Sequence, residues 1–334
     1  MTANIVVTGG AGYVGSHVCK ALSVAGYRPI TFDNLCRGNK DAVKWGPLEI
    51  VDMEDRSHLT ALLEKYMPAT VIHMAAYTYV GESTERPDLY FRNNLIGTLS
   101  LAEAMVAAGR KNIVFSSSCA VYGSPDGSTI DEHTALAPRS PYAASKVMAE
   151  QILMDFSRSF GLSSVSLRYF NAAGADPEAE IGESHDPETH LIPRAIQAAK
   201  GEIDALELFG TDYETPDGTA IRDYVHVSDL AQAHLAAMAY LQNGGPSTAF
   251  NLGNDRGYSV REILAAVAKT IGHPVPVKEV GRRLGDAPTL VANSSKAKLE
   301  IGWQPQYSDI ETIISTAVRW NDVQSNPSVD IQAE

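Results

Sequence analysis

The chain has 334 residues, enough for a large core and about two domains, and its 44% hydrophobic and 20% charged content is that of an ordinary globular protein. A formal charge of −13 disfavours nucleic acid or an anionic membrane as a partner, so any anionic ligand must be met by individually placed Arg and Lys residues. No apolar run approaches the roughly 18 residues that span a bilayer, and Cys19, Cys36 and Cys119 are too few and wrongly spaced for a disulfide framework or a zinc site.

Met1 leads directly into a strand-like run, so no signal peptide and a cytoplasmic setting are expected, with no metal. Strands are expected at Ile5–Thr8, Pro29–Asp33, Leu48–Val51, Thr70–His73, Asn112–Ser117 and Ser164–Arg168, each nearly continuous in apolar residues, as in a sheet covered on both faces. Helical patterns lie between them, among them Tyr13–Ala25 stopped by Gly26 and Leu95–Ala108 stopped by Gly109. This alternation predicts an α/β fold, a doubly wound parallel-sheet Rossmann domain. From about Ala172 the alternation fades; residues 172–190 and 210–219 read as loops, with regular elements returning at Ala220–Leu241, Ser259–Ile271 and Asp309–Asn321. The expected division is a nucleotide-binding domain over 1–171, with returning segments near 220–257, and a smaller, discontinuous C-terminal α/β substrate domain over 172–334. The last dozen residues are polar and expected to fray.

The first strand runs into Gly9-Gly10-Ala11-Gly12-Tyr13-Val14-Gly15 and then a helix. Gly10, Gly12 and Gly15 fit G-x-G-x-x-G, and Gly9, Gly12 and Gly15 fit the related G-x-x-G-x-x-G. Such glycines permit a tight turn, close approach of backbone to a pyrophosphate and close packing of helix on strand, while the helix N-terminus offers free N–H groups. Asp33 closes the second strand, where a carboxylate can accept from the adenine ribose hydroxyls and repel a 2′-phosphate. NAD is therefore favoured over NADP, with the neighbouring Arg37 as the one contrary sign.

Ser140-Pro141-Tyr142-Ala143-Ala144-Ser145-Lys146 opens a helix expected to reach about Phe160, with Ser140 as N-cap and Pro141 at the first helical position. Tyr142 and Lys146, four apart, share a face, and a nearby ammonium would lower the phenol's pKa and make it a usable general base. Ser118, at the end of the fifth strand, can bridge Tyr142 to a reacting hydroxyl. With that strand-end serine, the Tyr-x-x-x-Lys pair resembles the short-chain dehydrogenase/reductase superfamily in its extended branch.

The resemblance narrows to the UDP-galactose 4-epimerase (UDP-glucose 4-epimerase) family through Asp33-Asn34-Leu35, His73-Met74-Ala75-Ala76, Val80-Gly81-Glu82-Ser83, Asn93-Asn94-Leu95-Ile96-Gly97-Thr98 and Ser116-Ser117-Ser118-Cys119-Ala120-Val121-Tyr122-Gly123. It continues through Leu167–Asn171, Phe209–Tyr213, Asp217–Thr219, Arg222–Val227 and Arg282-Arg283-Leu284-Gly285-Asp286, covering nearly the whole chain. It implies NAD contacts at Gly9, Gly12, Tyr13, Val14, Gly15, Asp33, Asn34, Asp52, Met53, Asn93, Ser116, Tyr142, Lys146 and Phe170. It implies UDP-sugar contacts at Ser118, Tyr142, Asn171, Leu191, Phe209, Arg222, Arg283 and Asp286, with Ser118, Tyr142 and Lys146 catalytic. The implied reaction is transient oxidation at C4 of a UDP-hexose followed by reduction from the other face, and the implied assembly is a homodimer through Leu95–Ala108 and Pro141–Phe160. Sugar-nucleotide 4,6-dehydratases are disfavoured, because they place Thr-Asp-Glu where this chain has Ser118-Cys119-Ala120. A pentose or N-acetylhexosamine 4-epimerase, a decarboxylating relative, a dehydrogenase releasing NADH and a non-catalytic NAD-binding protein are the alternatives. Two departures stand out: Thr78 replaces a lysine that many members carry, and Leu290 is intermediate in size where the family tunes room around the sugar's 2-substituent.

Overall fold

The structure, a computed structural model, describes residues 2–125, 129–283, 286–307 and 309–325. In chain order the first elements are β1 (Asn4–Thr8), α1 (Tyr13–Val24), β2 (Arg28–Asp33), β3 (Leu48–Ile50), α2 (Arg56–Tyr66) and β4 (Thr70–His73). Then come α3 (Val80–Glu85), α4 (Pro87–Tyr90), a π-helical turn over Phe91–Ile96, α5 (Gly97–Ala107), β5 (Asn112–Ser118), α6 (Pro141–Phe160) and β6 (Ser163–Tyr169). The second half adds β7 (Asn171–Ala173), α7 (Leu191–Ala199), β8 (Leu206–Phe209), β9 (Ile221–His226), α8 (Val227–Gln242), β10 (Thr248–Leu252) and β11 (Gly257–Ser259). It closes with α9 (Val260–Ile271), β12 (Val277–Val280), β13 (Thr289–Leu290), α10 (Ser295–Glu300) and α11 (Ile310–Ser325).

Among the described residues, seven parallel strands form the main sheet in the order β3-β2-β1-β4-β5-β6-β10. This is the doubly wound α/β arrangement expected, and the six expected strands fall within a residue of their places. Successive residues of a strand point to opposite faces, and the sequence uses both. Ile5, Val7, Ile72 and Val114 pack with Val18 and Leu22 of α1 and with Leu230, Ala237 and Met238 of α8. Val6, Val71, Ile113 and Phe115 pack on the other side with Leu59 and Leu63 of α2, Leu101 and Met105 of α5, and Leu153 of α6. Full burial of each such side chain contributes about 1.5–3 kcal/mol.

The expected helix over Leu95–Ala108 is α-helical only from Gly97, because the preceding six residues wind as a π-type turn. β10 belongs to the main sheet although some eighty residues separate it from its neighbour β6, with Phe250 opposite Leu167. β9 pairs with β7, β11 and β13, and this smaller sheet shares a core with α7, α9 and α11 around Ile196, Tyr224, Ile263 and Ile313. Residues 326–334, most of the tail expected to fray, lie outside the described residues. Among those described, no helix is long and apolar enough to cross a membrane.

The order β3-β2-β1-β4-β5 reverses between β1 and β4, and the chain leaves these two strands in opposite directions. A crevice opens there at the carboxyl ends of the strands, where α/β sheets bind ligands.

Candidate active site

Gly9 follows β1 at φ +70°, and its N–H donates to the Phe32 carbonyl at 2.8 Å. A Cβ on Gly9 would lie 2.7 Å from the Ala75 nitrogen, and one on Gly15 only 2.1 Å from the Gly9 carbonyl oxygen. The loop is thus folded tightly under the start of α1. Gly12 caps that helix and has no side chain with which to satisfy the first-turn N–H groups of Tyr13, Val14 and Gly15. These donors and the positive end of the helix dipole suit a diphosphate. The Tyr13 side chain turns away, donating its hydroxyl to the Gly174 carbonyl at 2.6 Å, so Tyr13 offers the crevice its backbone.

Asp33 ends β2 and is nearly buried; it accepts from Ala11 N–H at 3.1 Å and Leu35 N–H at 2.8 Å, and burial raises its pKa. One terminal nitrogen of Arg37 donates to both Glu82 carboxylate oxygens, at 2.6 and 2.7 Å, and its guanidinium stacks over Tyr77 and Tyr79. Its charge is already matched, which removes the one sign in favour of a 2′-phosphate. Asn34 donates to Asp52 at 3.0 Å beside this site, Met53 is buried under Gly97, and Asn93 donates to Asn94 at 2.9 Å. The glycine cradle, the bare helix end and the ribose carboxylate together fit NAD.

The catalytic helix begins as its sequence dictates. Ser140 Oγ accepts from Ala143 N–H at 3.2 Å, Pro141 takes the first position, and Gly161 stops the helix at φ +69°. Tyr142 and Lys146 are both buried on one face. The Lys146 ammonium donates to the Ser116 carbonyl at 2.8 Å and lies 4.9 Å from the Phe115 ring centre. Burial pushes its pKa down to about 7, only partly opposed by Glu150. Burial likewise pushes the Tyr142 phenol up, and the Ser118 hydroxyl beside it holds it down. The lowering of the tyrosine expected from Lys146 is therefore not what the protein alone provides: desolvation drives both groups toward their neutral forms.

Ser118 Oγ accepts from Ala120 N–H at 3.2 Å, and β5 extends one residue further than expected to include it. Ser116 is engaged twice: its carbonyl holds Lys146, and its hydroxyl makes a short bond to Tyr169. Phe170 is buried at the turn from β6 to β7, and Asn171 opens β7 opposite Tyr224.

In the second half, Arg222 sits on β9 with Asp286 at 3.9 Å and Leu290 in register beside it. Its charge draws down the Cys119 thiol, which burial pushes up to about 12. Leu290 packs against the cluster formed by Cys119, Tyr122 and Phe170. The Arg283 guanidinium stacks 3.8 Å above the Phe209 ring, while Arg282 is drawn off to Asp212 at 2.8 Å. Leu284 and Gly285 of the same motif lie outside the described residues. Leu191 packs against the core of the smaller sheet, and Thr78 is exposed.

Several positioning residues escaped the sequence reading. His73 is held at the end of β4 between Thr8 at 2.7 Å and Thr98 at 2.9 Å. Asn94 grips the Tyr77 backbone from both sides, at 2.8 and 3.0 Å, and donates to Ser145 on α6 at 3.1 Å. Tyr90 packs edge-on against Tyr142. A polar residue ending an apolar strand was the available signal for His73; the long-range partners of the other two left none.

Residues 5–253 match the family model described as "NAD dependent epimerase/dehydratase family". A UDP-glucose 4-epimerase of Rhizobium leguminosarum bv. trifolii is 50% identical over 317 residues, covering 95% of this chain and 97% of the relative. The crystal structure of UDP-glucose 4-epimerase from Brucella ovis in complex with NAD superposes with a TM-score of 0.93 at 49% identity, covering 95% of this chain and 98% of that one. A UDP-Glc/GlcNAc 4-epimerase of Campylobacter jejuni superposes with a TM-score of 0.84 at 37% identity, covering 96% and 99%.

Proposed function

This chain belongs to the NAD dependent epimerase/dehydratase family, and from that premise we propose that Ser118, Tyr142 and Lys146 carry the chemistry of its reaction. That reaction is the NAD-dependent, reversible 4-epimerisation of UDP-galactose and UDP-glucose. The observation that carries the assignment is the burial of Tyr142 and Lys146 on one helix face beside Ser118, at the carboxyl edge of the sheet that holds the glycine cradle.

Gly9, Gly12 and Gly15, with the backbone of Tyr13 and Val14, would hold the pyrophosphate, and Asp33 the adenine ribose. Asn34, Asp52, Met53, Asn93, Ser116 and Phe170 complete the cofactor wall. Lys146 has donors to spare after its bond to Ser116, and these suit the nicotinamide ribose. Held by these residues, NAD would supply reversible hydride acceptance at the sugar C4, with the return directed to the opposite face. Tyr142 takes the proton from the 4-hydroxyl through or beside Ser118 and returns it after the 4-keto sugar has turned about its diphosphate link. Asn171, Arg222, Arg283 and Asp286, with Phe209 and Leu191, grip the UDP portion. Remote binding energy there leaves the hexose free to turn. Interconversion of UDP-galactose and UDP-glucose without added reductant tests this reading.

Four finer points belong to the same proposal. We place a homodimer contact on α5 and α6, where Ile96, just before α5, and Met148 on α6 are exposed apolar side chains; the mass of the protein in solution tests it. We take the division at about residue 171 as the boundary between cofactor and substrate domains, and a cytoplasmic location. Leu290, beside Phe170, is the residue we expect to set tolerance of a 2-N-acetyl group. The non-catalytic alternative is disfavoured, since all three catalytic side chains are present and brought together.

A further inference from the structure

Four residues of the loop between β7 and α7 take no part in the reaction above, yet they converge. Glu183, His185, Glu188 and His190 bring their imidazole nitrogens and carboxylate oxygens within 4.8 Å of one another. His190 Nδ1 lies 2.7 Å from Glu183 Oε1 and 3.2 Å from Glu188 Oε1. His185 Nδ1 lies 3.1 Å from Glu183 Oε1 and 3.6 Å from Glu188 Oε2. A tetrahedral zinc ion with N and O ligands at about 2.0–2.2 Å sets its donor atoms about 3.3–3.6 Å apart; one of the four separations reaches that range and the other three are shorter, so the donors need only spread slightly to admit an ion.

A second observation points to a missing partner. The Nδ1 atom of His185 is buried and, although close to the Glu183 carboxylate, makes no hydrogen bond. A buried polar atom without a partner costs free energy unless something else meets it. The surrounding shell is built to hold this geometry. Glu188 Oε1 accepts from the Thr189 and His190 N–H groups at 2.7 and 2.8 Å, and Trp320 Nε1 donates to the Glu183 carbonyl at 2.8 Å. The Tyr13 and Tyr79 rings stand edge-on to His185 at 6.3 and 6.0 Å.

We propose that Glu183, His185, Glu188 and His190 form a structural site for one divalent transition-metal ion of the zinc class. Two imidazoles with two carboxylates suit zinc, cobalt or nickel, whereas magnesium and calcium take oxygen ligands. Four protein ligands close the coordination sphere, which marks a structural rather than a catalytic ion. The ion's two positive charges balance the two carboxylates, and the protons that the imidazoles otherwise carry leave to solvent. His190, 44% exposed, gives the ion a way in. The location suggests a purpose: Tyr13 opens α1 at the pyrophosphate loop, so an ion here fastens the 183–190 loop over the mouth of the cofactor site.

The test uses the full-length holoenzyme. Protein purified from zinc-supplemented cells should carry about one zinc per chain by elemental analysis. After stripping with a chelator, Co²⁺ should bind with the intense visible bands of four-coordinate cobalt. His190→Ala and Glu183→Gln, each checked for NAD content and circular dichroism, should lose both. Stripped, folded wild-type protein that takes up neither Zn²⁺ nor Co²⁺, or that shows only the pale spectrum of six-coordinate cobalt, would overturn the proposal. So would an unchanged cobalt spectrum in a folded variant.

Discussion

The Lys146 ammonium donates to the carbonyl of Ser116 at 2.8 Å while lying 5.9 Å from the centre of the Tyr142 ring. The lysine is thus anchored to β5, with its charge set back from the phenol. Buried at this point, it falls from an ordinary 10.5 to about 7 in the folded protein. Between those two values the unfolded chain binds the extra proton, so the stability of the cofactor-free protein rises with pH across the window from about 7 to about 10.5. Below about 7 the cost of burying the charge is fully present. Lys146→Met, stripped of NAD, should therefore be more stable than wild type by on the order of 2–4 kcal/mol below pH 7, with the difference vanishing above about pH 10.5. Denaturant unfolding of both proteins across pH checks this, and a difference independent of pH would contradict the burial argument.

Tyr142→Phe keeps the ring that packs against Tyr90 and removes only the hydroxyl. Its turnover should fall by at least about 10²-fold while UDP-sugar binding persists. Ser118→Ala should leave activity measurable but move the acidic limb of the kcat/KM profile to higher pH, because Ser118 is what holds the phenol down. An unmoved limb would take Ser118 out of the proton path.

Arg283 stacks on Phe209 and Arg222 lies near Cys119, and the proposed reaction assigns both to the UDP portion. Arg283→Ala should weaken UDP-sugar binding by about tenfold or more, the scale of a lost charge-assisted hydrogen bond, with NAD content unchanged. Calorimetric titration with UDP gives the affinity, and the absorbance of released nucleotide gives the NAD content. Loss of NAD instead would place Arg283 at the wrong ligand.

The glycine loop makes a graded prediction. A Cβ at Gly15 would stand 2.1 Å from the Gly9 carbonyl, whereas one at Gly12 would stand 3.3 Å from it. Gly15→Ala should be recovered without NAD, and Gly12→Ala should keep a reduced but measurable share. Equal NAD occupancy in the two variants would mean that close packing under α1 does not govern the site.

The strands were legible because Ile and Val runs such as Ile5-Val6-Val7 leave little choice in a sheet covered on both faces. Tyr142 and Lys146 were legible because helical spacing alone puts positions four apart on one face. β10 was not, because Thr248–Leu252 gains its meaning from pairing with Val165–Tyr169, far away in the chain. The direction in which Tyr142 and Lys146 titrate was also out of reach: spacing brings charges near each other, but desolvation comes from residues far away in the chain, such as Tyr90 on α4 and Phe115 on β5, packed around them. The Glu183, His185, Glu188 and His190 spacing is present in the sequence, but no cysteine marks it as a metal site. Its convergence depends on how the loop folds against Tyr13, Tyr79 and Trp320.

The central claim is that oxidation and reduction occur on one bound sugar with no net change in the cofactor. Purified holoenzyme, given UDP-galactose and neither added reductant nor oxidant, should yield an equilibrium mixture with UDP-glucose, while absorbance from free NADH stays flat. Absence of UDP-glucose, or NADH accumulating in step with sugar consumed, would contradict it.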